Sequence, residues 1–307
     1  MERHDGLALA YLTALVSGIS VFANSFGVVT MDATAYAFLK NVLVAAVLSA
    51  IALSLGSWRE LLSLDKKQAL RLLFIGVFGG GVAFALFFTG LSMVSGQVGS
   101  FLYRLLFIFA AIIAVAYLKE KFSWKIAAGA AVILLGNFLL LGGAPLALNE
   151  GILLVLAATV VWAAEYAVSK KALEALSPTT VASARMGVGA IVLLGILMLQ
   201  GKMNTLGAIS AESLVWIAIA TGFLVLFTTL WYSALKRTTL ISATAVFTLG
   251  GPISALLSFA LAGKALAPLS ALGLLLIAAG AIFVSGTVET AAAIAAAEKK
   301  ARALFRL

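Results

Sequence analysis

The chain has 307 residues, of which 63% are apolar and only 11% charged, and a mean hydropathy of +1.15, so it carries too little polar surface to face water as a globule. The net charge of +9 invites a nucleic-acid reading, but the placement of the basic residues points to anionic lipid headgroups instead. Cysteine is absent and the one histidine, His4, lies in the N-terminal tail, so a disulfide framework, a zinc or thiolate site and a His-centred triad are excluded by counting.

Runs of about twenty apolar residues predict ten transmembrane helices near 7–29, 33–55, 70–93, 97–118, 124–142, 150–170, 178–199, 212–234, 239–262 and 268–287. The first run is longer than a signal-peptide core and is followed by further spans, so it reads as a retained helix. Pro178 and Pro268 suit first helical positions, Pro145 falls in a loop, and only Pro252 falls inside a span, directly after Gly250 and Gly251. Lys and Arg collect in alternate connections. One side holds sixteen of them, counting Arg3 and the tail residues Lys299, Lys300, Arg302 and Arg306; the other holds Lys202 and Lys264. That bias predicts a multi-pass protein of the bacterial inner membrane with both termini cytoplasmic. Residues 288–307 read as a basic cytoplasmic tail.

The chain also repeats itself. Met31–Lys40 resembles Leu176–Arg185, with Thr34 against Thr179 and Lys40 against Arg185, and the same shift sets Ser17 against Trp162, Ser20 against Glu165 and Asn24 against Ser169. Two repeats of five helices, 1–145 and 146–287, follow. Five is odd, so the second repeat enters the membrane the opposite way up, and such pairs place a substrate site near the midplane between them. The fold class is therefore an all-α integral membrane protein built from two inverted five-helix repeats.

Two five-helix halves, a basic residue early in the second helix of each, and the run Gly250-Gly251-Pro252-Ile253-Ser254-Ala255 resemble the EamA-type drug/metabolite transporter superfamily across residues 7–287. The aromatic-rich first half is similar to the YddG-type exporters of aromatic amino acids. The resemblance implies export from the cytoplasm by alternating access. The chain departs from the pattern in three places: Ile108 stands where many members have proline, Lys264 where they often have an acid, and Arg104 is unusual in a fourth helix. Glu120 keeps the acid in the first half.

Three basic residues, Lys40, Arg104 and Arg185, fall inside apolar runs, where an unpaired charge costs about 2.5–3.5 kcal/mol on insertion scales. At about 1.5 Å per residue, Lys40 lies about 12 Å from the outer surface, Arg185 about 10 Å and Glu165 about 8 Å from the inner one. Glu165 and Arg185 can thus pair, either as a structural bridge or with Glu165 as a proton-coupling or amine-binding carboxylate. Lys40 either snorkels toward Asp32 or, like Arg104, faces a wet vestibule that attracts an anionic group. Three bases against one acid favour zwitterionic or anionic cargo over lipophilic cations.

Trp162 and Tyr166, one turn apart, are candidates for an aromatic wall, with Phe78, Phe101 and Tyr103 as further lining and Asn24 as a hydrogen-bonding residue. Trp231 and Tyr232 end a span and are explained by an interfacial belt. Gly79, Gly80 and Gly81 in the third span and Gly250, Gly251 and Pro252 in the ninth serve either as hinges or as close-packing positions. No catalytic residue, metal ligand or cofactor is expected. The expected partners are a small amino-acid-like metabolite, the lipid bilayer and, through Glu165, protons, with a monomer as the favoured state. Multidrug cation efflux, nucleotide-sugar-like exchange and a channel are the competing functions.

Overall fold

The computed structural model describes residues 2–141, 148–207, 209–262, 268–284 and 287. The sequence-predicted tail and the positions of Pro145 and Lys264 lie outside these. Among the described residues there are helices and turns but no strand. In chain order the apolar helices are α1 (Glu2–Gly27), α2 (Ala33–Ser54), α3 (Lys66–Met93), α4 (Gly96–Leu118), α5 (Trp124–Leu139), α6 (Glu150–Ala172), α7 (Pro178–Leu199), α8 (Ala211–Arg237), α9 (Leu240–Leu261) and α10 (Pro268–Val284). Eight are long and apolar enough to cross a membrane. The other two, α5 and α10, are shorter, and each is the last helix of a sequence-predicted half. With 16 residues, α5 spans only about 24 Å, less than the roughly 30 Å of a hydrocarbon core. Of the ten expected spans, eight fall on helices long enough to cross a membrane and two on shorter apolar helices.

The starts of the helices follow from local chemistry. Asp32, Asp65, Ser95, Ser123, Asn149, Ser177, Ser210 and Thr239 each accept a hydrogen bond from a backbone N–H of the first turn that no helical carbonyl can reach. Asp65 and Gln68 form a reciprocal capping box, which starts α3 at Lys66 rather than at 70 as the hydropathy run suggests.

The most extensive packing joins helices from different halves: α1 on α8, α2 on α7, and α3 on both α6 and α7. The core therefore lies along the seam between the halves. Two irregularities shape it. Between Ile75 and Val82, α3 winds in wide π turns. A Cβ at Gly79 would strike the Glu165 side chain, one at Gly80 the Arg185 carbonyl, and one at Gly81 would come within 2.5 Å of Val192 Cγ1. Only glycine lets α3 lie this close to α6 and α7. The carbonyls of Gly79 and Gly80 accept from side chains of other helices, Trp162 Nε1 at 2.9 Å and Asn41 Nδ2 at 2.8 Å.

The second irregularity is in α9, which is broken at Thr248–Leu249 rather than simply kinked. Pro252 has no N–H for the Thr248 carbonyl one turn back. Asn137 Nδ2 donates to that carbonyl at 3.5 Å, and Arg104 Nη1 donates to the Phe247 carbonyl at 3.2 Å. A Cβ at Gly251 would overlap Asn137 Oδ1, and one at Gly250 would lie 2.6 Å from Arg104 Nη2. Both glycines thus make room for the side chains that satisfy the break.

Candidate substrate cavity

A cavity of about 50 Å³ lies between the halves. It has room for a few water molecules, at about 10–15 Å³ of such space each, but not for an amino acid. Helix α1 contributes Ser17, Ser20 and Asn24; α2 contributes Lys40; α7 contributes Arg185. The remaining wall is mainly aromatic, from Phe84, Phe87 and Phe88 of α3, Tyr103 of α4, Trp162 of α6 and Phe227 of α8.

The aromatic wall is a packed set rather than a row of independent rings. Trp162 lies 5.0 Å from Phe87 and from Tyr103, and 5.5 Å edge-on from Phe84. Such pairs contribute about 0.5–1.5 kcal/mol beyond area burial. The Trp162 N–H is committed to the Gly79 carbonyl, so the indole offers the cavity its ring and not its donor.

Lys40 is buried, at 1% exposure, and among the described residues no carboxylate lies within salt-bridge distance of its Nζ. Its ammonium donates to Asn24 Oδ1 at 3.0 Å and sits 3.5 Å above the Phe88 ring, a cation–π contact. Asn24 Oδ1 also accepts from Tyr36 OH at 3.0 Å, and the Asn24 amide donates to the Ser20 carbonyl at 2.7 Å. The expected reach of Lys40 toward Asp32 does not occur, because Asp32 is taken by Lys202 at 2.7 Å from the α7–α8 connection. Burial alone would raise the Asp32 carboxyl, but the Lys202 ammonium and the N–H groups of Thr34 and Ala35 outweigh it and hold the group below its ordinary value.

Arg185 presents the second cation, and Glu165 stands behind it. Arg185 Nε lies 3.4 Å from Glu165 Oε2, with both side chains buried. Ser169 Oγ and Tyr232 OH both donate to Glu165 Oε1, the latter at 2.9 Å. Tyr232 and Trp231 are buried, at 0% and 1% exposure, so the interfacial-belt expectation is corrected. The physical reason is that α8 packs its last two turns against α6, where Glu165 needs a donor and the Tyr166 ring lies 4.7 Å from Trp231.

Of the sequence candidates, Asn24, Lys40, Tyr103, Trp162 and Arg185 meet at the cavity, while Glu165 and Tyr166 lie behind its wall. Tyr166 OH is 3.3 Å from Tyr103 OH, joining that second layer to the lining. Arg104 is not itself in the lining but lies behind Ser17, donating to Ser17 Oγ at 3.1 Å and to the Phe247 carbonyl at the α9 break. Phe78 is 40% exposed and packs on Phe74, and Phe101 packs on Phe138, so neither lines the cavity. The lining phenylalanines that sequence reasoning missed are Phe84, Phe87, Phe88 and Phe227; the spacing of the first three by three and four residues marks one helix face, a signal that was present. None of the described residues lining the cavity is acidic. Among the described residues no group of three or more His, Cys, Asp or Glu could hold a metal.

The profile of the EamA-like transporter family matches the chain twice in succession, over residues 4–142 and 149–286. No curated protein matches it. A solved structure described only as the crystal structure of a protein shares 17% identity and superposes with a TM-score of 0.75, covering 94% of this chain and 99% of its own. At that identity the likeness speaks for the fold alone. The double match covers both halves between which the cavity lies: the chain belongs to the EamA-like transporter family and is a multi-pass membrane transporter of the drug/metabolite transporter superfamily.

Proposed function

We propose that the protein exports amino acids with apolar or aromatic side chains, by alternating access around the cavity between its halves. The observation that carries this reading is Lys40: a buried ammonium at the cavity, with no acid among the described residues within salt-bridge distance, beside an aromatic wall. A substrate carboxylate supplies the missing counter-charge, and an apolar side chain fits the aromatic face. Lipophilic cations fit poorly, because the one acid nearby, Glu165, is engaged by Arg185, Ser169 and Tyr232. The cavity is too small for such cargo as it stands, so loading requires the halves to part. The glycine positions in α3 and α9 are the places where small relative movements meet least side-chain bulk. Coupling to protons through Glu165 is part of the proposal, as are an inverted arrangement of the repeats 1–145 and 146–287, ten spans, a monomeric state and an inner-membrane location with cytoplasmic termini.

Proteoliposomes loaded with a labelled amino-acid panel test the cargo: saturable efflux of phenylalanine or leucine, stimulated by a pH gradient, is expected. Efflux of lipophilic cations with none of amino acids would overturn the reading. Orientation is tested separately in this cysteine-free chain, where Ser63→Cys should be shielded from an impermeant thiol reagent in intact cells and Asn149→Cys labelled.

A further inference from the structure

A second hollow, of about 510 Å³, opens along the seam of α4 and α5, away from the substrate cavity. Every side chain lining it is apolar, including Phe107, Ile112, Ala116, Phe122, Ala131 and Leu134. It exists because alanines stand where bulkier residues would fill the seam: Ala111 and Ala116 on α4, Ala127 and Ala131 on α5. It faces outward, since Ile108, Ile112 and Phe122 on its walls are 44%, 63% and 41% exposed.

One end of the hollow is strongly basic. Lys119 Nζ donates at 2.7 Å to the carbonyl of Ala116, which is itself a lining residue. Lys121 and Lys125 follow within one short turn and the start of α5, all three exposed. The acid among them, Glu120, is turned toward the other half, its two carboxylate oxygens accepting from the backbone N–H groups of Leu240 (2.7 Å) and Ile241 (3.0 Å) at the start of α9, and the connection keeps a net positive charge. An apolar channel at membrane depth, ending beside three exposed lysines, has the chemistry of a two-part ligand.

We infer that the α4–α5 seam is a binding site for one anionic phospholipid, its acyl chain in the hollow and its phosphate among Lys119, Lys121 and Lys125. The charge at the mouth selects the anionic headgroup, since each basic residue near a membrane surface contributes about a fivefold preference for anionic lipid. The bound headgroup also has a structural consequence. It draws together the short connection whose Glu120 holds the first turn of α9 in the other half, so lipid occupancy strengthens the junction between the halves.

The test uses the purified, delipidated full chain in detergent, titrated with phosphatidylglycerol or phosphatidylcholine and read by native mass spectrometry and thermal unfolding. One phosphatidylglycerol per chain should be retained in preference to phosphatidylcholine, and it should raise the unfolding midpoint. The surface variant Lys121→Gln/Lys125→Gln should weaken retention by about 25-fold, at about fivefold per lysine. Ala131→Phe should abolish retention while leaving the lipid-free midpoint near that of the parent. Equal retention of both lipids, or phosphatidylglycerol retention unmoved by the lysine pair, would overturn the proposal. So would a dimer mass that Ala131→Phe removes, because a second copy of the chain would then occupy the hollow. Should Ala131→Phe fail to fold, the lysine pair decides the matter alone.

Discussion

Lys40 and Arg185 occupy equivalent places: each lies eight residues after the N-cap of the second helix in its half, Asp32 and Ser177 respectively. Their surroundings differ. Arg185 has a buried carboxylate at 3.4 Å, itself held by Ser169 and Tyr232. Lys40 has an amide oxygen and aromatic faces. The repeat fixes where a cation stands, and the neighbouring helices decide whether it is neutralised internally. In the second half Glu165 on α6 does that; at the repeat-equivalent place on α1 the chain has Ser20, which is uncharged. One cation has a buried carboxylate partner, and the other has none within salt-bridge distance among the described residues.

The largest expected effect breaks the neutralised side. Glu165→Ala leaves the Arg185 guanidinium buried without a counter-ion, which typically costs about 3–5 kcal/mol. The thermal midpoint should fall steeply, and Glu165→Ala/Arg185→Met should recover part of it. A Glu165→Ala protein as stable as the parent would mean that Arg185 is hydrated from the cavity. The next prediction addresses the open side. Lys40→Met strands no acid, so stability should hold or rise, while the apparent affinity for carboxylate cargo falls by about tenfold or more, as the loss of a charged hydrogen bond of about 1.5–3 kcal/mol requires. Unchanged transport kinetics in Lys40→Met would remove the carboxylate role.

A smaller effect is expected at the aromatic wall between the two cations. Trp162→Ala should weaken aromatic cargo several-fold, corresponding to about 0.5–1.5 kcal/mol of ring contact, and threonine less. Trp162→Phe loses the same bond to the Gly79 carbonyl but keeps a ring, so it separates the two contributions. Equal losses for phenylalanine and threonine in both variants would assign Trp162 to packing against α3. The smallest effect is at the Asp32–Lys202 pair, where Lys202 is 45% exposed and the pair contributes no more than about 1 kcal/mol. Because the Asp32 carboxyl is held below its ordinary value of about 3.9, its contribution is present above that pH and is lost as the pH falls below it. Asp32→Asn should therefore narrow the stability difference between pH 6 and pH 3.5, measured by thermal unfolding; a parent protein insensitive over that window would leave the pair without stabilising value.

Much of the frame was legible because it is written in one-dimensional signals. Hydropathy runs gave the helices, and depth counted in from the inner surface set Glu165 beside Arg185. What could not be read were contacts that depend on the angular face of a helix. Phe78 and Phe84 look alike in the sequence, yet one is half-exposed and the other packs on Trp162. Arg104 looked like a cavity cation because its partners are the Ser17 hydroxyl and the Phe247 backbone carbonyl, neither of which carries a charge signal in the sequence. Tyr232 was misread for a similar reason: its position at a helix end suits a lipid interface, and only the approach of α6 turns it into a donor to Glu165.

The wide winding of α3 at Gly79–Gly81 sets the rotational phase of everything that follows it on the helix. Each residue of an α-helix advances the side chains by about 100°. Because wide turns take up about one residue more than ordinary ones over this stretch, removing Gly80 would let α3 wind as an ordinary helix with the flanking faces nearly in place, whereas ordinary winding with Gly80 kept would rotate the stretch after it by roughly that angle. Phe84, Phe87 and Phe88 would swing together from the cavity toward lipid or toward a neighbouring helix, while Arg71 and the capping box at Asp65 stayed in place. The glycine run thus holds the wide winding that sets which face of α3 the cargo meets, and a change that forces ordinary winding there without shortening the chain should alter selectivity more than any one phenylalanine replacement.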